Sequence, residues 1–148
     1  LHDTPSAWLV IAGVGDDPEY EAAIKRRINN IRKIVFVNRF VPIEQTQYFF
    51  KAADAVVLPF KSIEHSGSIE LAMSFGKAVI TRRTLSTEEL LSRQRHLLFT
   101  ERQTSLLDAM LAAKMADTDK IGKENFTIVD NTNFRQLLPF FRRELLSL

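Results

Sequence analysis

The chain has 148 residues, 45% apolar and 26% charged, a composition that fits one soluble globular domain able to bury its own core. It has no cysteine, which excludes disulfides, zinc ribbons and thiol catalysis, and His2, His65 and His96 are scattered without metal-ligand spacing. Lysine and arginine number 20 against 18 aspartates and glutamates, a net charge of +2, which is too even for a nucleic-acid-binding domain. No apolar stretch is long enough to span a membrane and no basic-then-apolar leader opens the chain, so a cytoplasmic protein is expected.

Short apolar runs alternate with longer amphipathic stretches. Trp8 to Ala12 reads as a buried strand that ends in the loop Gly13-Val14-Gly15-Asp16-Asp17. Asp17 before Pro18 predicts a helix start, continued by Tyr20, Ala23, Ile24, Ile28 and Ile31 at helical spacing. Ile34 to Val37 predicts a strand, Pro42 to Ala53 a helix, and Ala55 to Leu58 a strand stopped by Pro59. After a loop from Phe60 to His65, Ser66 to Phe75 predicts a helix with Gly76 as its left-handed cap. Ala78 to Thr81 reads as a strand, Glu88 to Ser92 as a short helix and Leu97 to Phe99 as a short strand. Thr104 is the expected cap of a helix reaching Met115, and Asp119 to Asp130 a further helix. Asn133 to Leu148 carries Phe134, Leu137, Leu138, Phe141 and Leu145 on one face. Pro139 predicts a break near Leu138. Strands joined through helices give the class α/β, a Rossmann-like parallel sheet with helices on both faces, read as a single domain over 1–148.

In such sheets ligands bind beyond the carboxyl ends of the strands. The richest loop there is Phe60 to Ile69, which leads from a buried strand into a helix. Gly67 allows close backbone approach, Ser66 and Ser68 offer hydroxyls, and the first-turn amides of Gly67, Ser68 and Ile69 favour an anion such as a diphosphate. Ser66 is equally a favoured helix cap. Gly13-Val14-Gly15 also follows a strand, but Pro18 occupies the third glycine position of a dinucleotide fingerprint and Asp16 and Asp17 would repel a pyrophosphate. A tight turn is the better reading.

Leu9 to Gly15, Ile34 to Val41, Tyr48 to Phe60 and Ser66 to Ile80, in that order, resemble the C-terminal, donor-binding domain of retaining GT-B glycosyltransferases of the group 1, or family 4, set. Glu88 and Leu97-Leu98-Phe99 match further positions of that pattern. The resemblance implies transfer of a sugar, with retention, from a nucleotide diphosphate sugar to a lipid-linked or glycan acceptor, as in polysaccharide biosynthesis. It implies no cofactor and no metal, the nucleotide sugar being substrate. Backbone amides at Ser66, Gly67, Ser68 and Ile69 would hold the donor phosphate, Glu64 and Glu70 the donor sugar and ribose, and Arg39, Phe40 and Val41 the base.

The family pattern has two glutamates eight residues apart; counted forward from the loop these places fall on Glu64 and Ala72, and counted back from Gly76 on Ile63 and Leu71, so neither register gives two carboxylates, and Glu70 reads equally as a solvated helix residue. The family's opening strand and the basic loop after it have no counterpart here. The chain is therefore expected to be a fragment inactive alone, without its acceptor domain. The missing strand would sit between those at Trp8 and Ala55, or come from another chain. Arg82 and Arg83 follow a strand at its carboxyl end and are candidates to replace part of the basic pair, with solvent exposure as the plainer reading. The run Lys25-Arg26-Arg27 with Arg32-Lys33 reads as a solvated face, with peripheral contact to the inner membrane face as the alternative. Two other functions stay open, a non-catalytic interaction module and a sugar-nucleotide epimerase of the same fold.

Overall fold

A computed structural model of the chain describes residues 7–15, 17–60, 67–100 and 103–132. The elements run β1 (Leu9–Gly13), α1 (Pro18–Ile28), β2 (Ile34–Asn38), α2 (Ile43–Ala52), β3 (Ala55–Leu58), α3 (Gly67–Ser74), β4 (Ala78–Arg82), α4 (Leu85–Leu90), a 3-10 turn (Ser92–Leu97), β5 (Leu98–Phe99), α5 (Gln103–Met115) and α6 (Thr118–Thr132). The class is the expected one, α/β with parallel strands and flanking helices. The strands form two sheets, β1-β2 and β3-β4-β5, every described ladder being parallel. The chain divides into two compact units, Leu1–Thr46 and Gln47–Leu148.

In the second unit, side-chain alternation along the strands supplies two apolar faces. Val56, Leu58, Val79 and Leu98 join Ile69, Ala72 and Met73 of α3 and Ile128 and Val129 of α6. Ala55, Val57, Ala78, Ile80 and Phe99 join Ala109 and Ala113 of α5. The sheet is thus covered on both sides. Helix α3 buries Ile69, Ala72 and Met73, one stripe at i, i+3 and i+4. It ends as Gly76 predicts: Gly76 has φ of +63°, its amide donates to Met73 O at 2.8 Å, and the Lys77 amide donates to Ala72 O at 3.1 Å. Phe50 stacks on Phe75 with ring centres 5.0 Å apart.

A buried polar chain ties α6 to β4. The Val79 amide donates to Gln94 Oε1 at 2.9 Å, Gln94 Nε2 donates to Asn125 Oδ1 at 2.7 Å, and Asn125 Nδ2 donates to Lys77 O at 2.8 Å. Gly122, one turn earlier on α6, lets the helix backbone lie directly on the turn after α3. A Cβ at Gly122 would come to 1.9 Å from Gly76 O.

The first unit is built differently. β1 and β2 pair in register from Leu9↔Ile34 to Gly13↔Asn38, and no described residue of this unit is fully buried. Its helix starts as predicted, with Asp17 Oδ1 accepting from the amides of Glu19 at 2.9 Å and Tyr20 at 3.2 Å. The helix stops at Ile28, and Ile31, expected to continue it, lies in the following turn, where Asn30 has φ of +69°.

Three boundaries differ from expectation. α4 begins at Leu85 rather than Glu88, because Thr84 and Thr87 form a reciprocal cap. Ser92–Leu97 is a 3-10 turn that takes in Ser92, expected in the preceding helix, and Leu97, expected in the following strand. α5 already includes Gln103, so Thr104 lies inside it. The expected break near Leu138 falls outside the described residues. No described helix is long and apolar enough to cross a membrane.

Replacing Gly122 by alanine is expected to destabilise the protein by about 1–3 kcal/mol through overpacking against backbone, although alanine is the better helix former. A urea-melt midpoint unchanged or raised in Gly122→Ala would show that α6 is not seated on the Gly76 carbonyl.

Candidate functional site

Parallel pairing places the carboxyl ends of β3 and β4 side by side, with Leu58 opposite Thr81. The Thr81 hydroxyl donates to Leu58 O at 2.9 Å, which fixes where β3 ends. The loop that follows lies largely outside the described residues, and with it Glu64 and Ser66. The chain is described again from Gly67, at the amino end of α3. Gly67, Ser68, Ile69 and Glu70 therefore share one helical turn. The Ile69 side chain is buried in the core, 2% exposed, so only its backbone amide remains to serve a ligand. Gly67, Ser68 and Glu70 are exposed. Among the described residues no atom lies within 4 Å of where a Gly67 Cβ would stand. A helix does not use its own first amides, so this turn holds donors that its own backbone leaves unpaired.

On the same edge, β4 ends at Arg82. Arg83 is not poised to meet an anion. Its Nη1 donates to Glu88 Oε1 at 3.0 Å and its Nη2 to Arg95 O at 3.2 Å. The pair is tied down from beneath: the Thr84 amide donates to Thr87 Oγ1 at 2.8 Å, the Thr87 amide to Thr84 Oγ1 at 3.1 Å, and the Thr87 hydroxyl to Arg82 O at 2.8 Å. Sequence reading placed Glu88 in the family pattern but missed this threonine box, whose signal was the Thr84-x-x-Thr87 spacing.

The other candidates belong to the first unit. Arg39, Phe40 and Val41 form the turn after β2. Phe40 is 73% exposed. Arg39 Nη2 donates to Gln45 Oε1 at 2.9 Å and Nη1 to Phe40 O at 3.3 Å. Val41 is half-buried. At the end of the neighbouring strand Gly13 has φ of +144°, a conformation that favours glycine, and Val14 is 59% exposed. Glu21 of α1 is held below its ordinary value of 4.5 by the Lys25 ammonium and then by the Asn38 side chain, which links α1 to the carboxyl end of β2. Of the basic run, Lys25 is thus engaged with Glu21.

Parallel strands, crossover helices and a helix amino end at the strands' carboxyl edge define a Rossmann-like α/β fold. The profile of the glycosyl transferases group 1 family matches residues 1–115, and the chain belongs to that family. No curated protein and no solved structure matches it significantly. Glycosyl transfer is the role of the family, which implies a sugar donor and an acceptor.

Thr87→Val removes the hydroxyl that both caps α4 and holds the Arg82 carbonyl. It should cost about 1–3 kcal/mol, and Thr87→Ser should recover most of that. Equal melts for wild type and Thr87→Val would show that the box does not fix this edge.

Proposed function

We propose that this chain is the donor-binding part of a retaining glycosyltransferase and that the amino end of α3 grips the diphosphate of a nucleotide sugar. The carrying observation is Gly67, an exposed glycine at a helix start on the sheet's carboxyl edge, with no described atom within 4 Å of where a Cβ would stand. Glycine in a helix is costly relative to alanine, and here no described neighbour demands it. A ligand lying on the backbone does. The amides of Gly67, Ser68 and Ile69, with the hydroxyls of Ser66 and Ser68, supply hydrogen bonds that neutralise an anion without needing a lysine or arginine at that turn.

On this reading the protein's contribution to transfer is positioning and electrostatic stabilisation of the departing diphosphate. Glu64 and Glu70 are assigned to the donor sugar and ribose, and the Arg39-Phe40-Val41 turn to the base. The acceptor is supplied to a second domain. Family membership over residues 1–115 supports glycosyl transfer, and the strand-edge geometry supports the choice of turn.

Gly67→Leu separates function from folding. No described atom lies within 4 Å of the new Cβ, so the melting temperature should stay within a few degrees of wild type. Binding of uridine, guanosine or adenosine diphosphate sugars, measured by calorimetry, should fall by at least ten-fold. Undiminished donor binding in Gly67→Leu would remove this turn as the phosphate site. Absence of binding by the wild-type protein to every such donor would leave the fold with a non-catalytic role.

A further inference from the structure

Resting on the reading that the turn after β2 faces the nucleotide base, we propose that Phe40 is the stacking platform for that planar ring and that Arg39 is a positioning residue, not a ligand contact. An exposed arginine beside an exposed aromatic residue would ordinarily invite assignment of the charge to the ligand. The geometry points elsewhere. Arg39 spends two of its guanidinium nitrogens within the turn, Nη2 on Gln45 Oε1 at 2.9 Å and Nη1 on Phe40 O at 3.3 Å. Gln45 sits on α2, whose opening is itself fastened by the Gln45 and Thr46 amides donating to Pro42 O at 2.9 and 3.1 Å. The planar fork of arginine suits such a brace, because two donors are fixed relative to each other. The brace joins the backbone of Phe40 to the first turn of α2.

Its consequence is a ring held outward. Phe40 is 73% exposed, although a phenyl ring gains about 2 kcal/mol or more by burial. The ring stands just past the carboxyl end of β2, the edge at which parallel sheets receive ligands. The register of β1 with β2 runs out at Gly13↔Asn38, so the Gly13-Val14-Gly15 turn emerges on the same edge. There Val14 is 59% exposed. Among the described residues no atom lies within 4 Å of a Cβ built at Gly13 or Gly15. An exposed phenyl ring, an exposed valine and two bare glycines on one edge fit a flat, apolar-faced ring. No ionic partner is required, and stacking of this kind tolerates any base.

The test is calorimetric titration of uridine, guanosine and adenosine diphosphates and of inorganic diphosphate. Phe40→Ala should weaken the preferred nucleotide by about ten-fold or more, Phe40→Trp should keep it, and inorganic diphosphate should bind all variants alike. Gln45→Ala and Arg39→Ala should each weaken the nucleotide several-fold, and the double variant no further than Arg39→Ala alone. In a Phe40→Ala background neither should have any further effect, since both act through the ring; a general structural role would persist there. Loss in Arg39→Ala with none in Gln45→Ala, or a further loss from Arg39→Ala once Phe40 is gone, would make Arg39 a direct contact and overturn the proposal. If Phe40→Ala binds as wild type while Gly67→Leu does not, this proposal falls and donor binding at α3 stands. If the wild-type protein binds no nucleotide, both fall.

Discussion

Two buried primary amides hold the second unit in one arrangement. Gln94 is 1% exposed and Asn125 is 3% exposed, and their hydrogen bonds run in one direction, from the Val79 amide through both side chains to the Lys77 carbonyl. Gln94 does the work of a strand. β5 pairs with β4 only from Thr81 onward, and the glutamine accepts from Val79 before that point. Asn125 does the same for the turn that leads into β4. A buried donor or acceptor left alone costs about 1–3 kcal/mol, so each amide is tolerable only because the other is present. Helix α3 has 8 residues, too few to persist without tertiary support. Its direction is set by the core it packs on and by the α6 backbone resting on Gly76. The amide chain thus ties α6, which packs with α3 in one core, to the start of β4.

The first unit lacks such a centre. Val10 and Val35 are register partners and share a sheet face, yet they are 51% and 42% exposed. A two-stranded sheet alone is marginal, and what defines its carboxyl edge is a set of polar ties. Asp17 caps α1, Lys25 and Asn38 hold Glu21, and Arg39 reaches Gln45. The turn after β2 is tied by hydrogen bonds between residues close in sequence, such as Arg39 to Gln45, whereas α3 itself is held by burial. Salt and pH should accordingly act on the two edges unequally. The Glu21 contribution is present above its ordinary value and is lost as the pH falls through its lowered one.

Most of the α/β frame was legible because its signals are local. β-branched runs marked β2, β3 and β4, Asp17-Pro18 marked a helix start, and Gly76 marked a helix end. What escaped reading needed a distant partner. Gln94 lies in the polar run Ser92 to His96, which looks solvated, and nothing nearby announces that Asn125, 31 residues further on, will bury it. Arg39 and Arg83 show the same limit at the candidate site. Both stand at strand ends where an anion would be welcome, and both are exposed but already hydrogen-bonded, to Gln45 and Glu88. Sequence places a charge on an edge; only the fold says whether the charge is already engaged.

That distinction bears on the departure from the family's glutamate pair. On the proposed reading, a phosphate site made of helix amides asks little of side chains beyond a glycine to admit the ligand, which Gly67 provides. Recognition of a sugar is different, because hydroxyls are read by side-chain acceptors at fixed positions, and Ala72 and Leu71 offer none. Ala72 is also fully buried and packed in the core, so a carboxylate at that position would be buried without a partner, at a cost of several kcal/mol. Anchoring by backbone and selection by side chain can therefore vary separately on one helix. On the proposed reading this chain keeps the first in the family's form and leaves the second to Glu64 and Glu70.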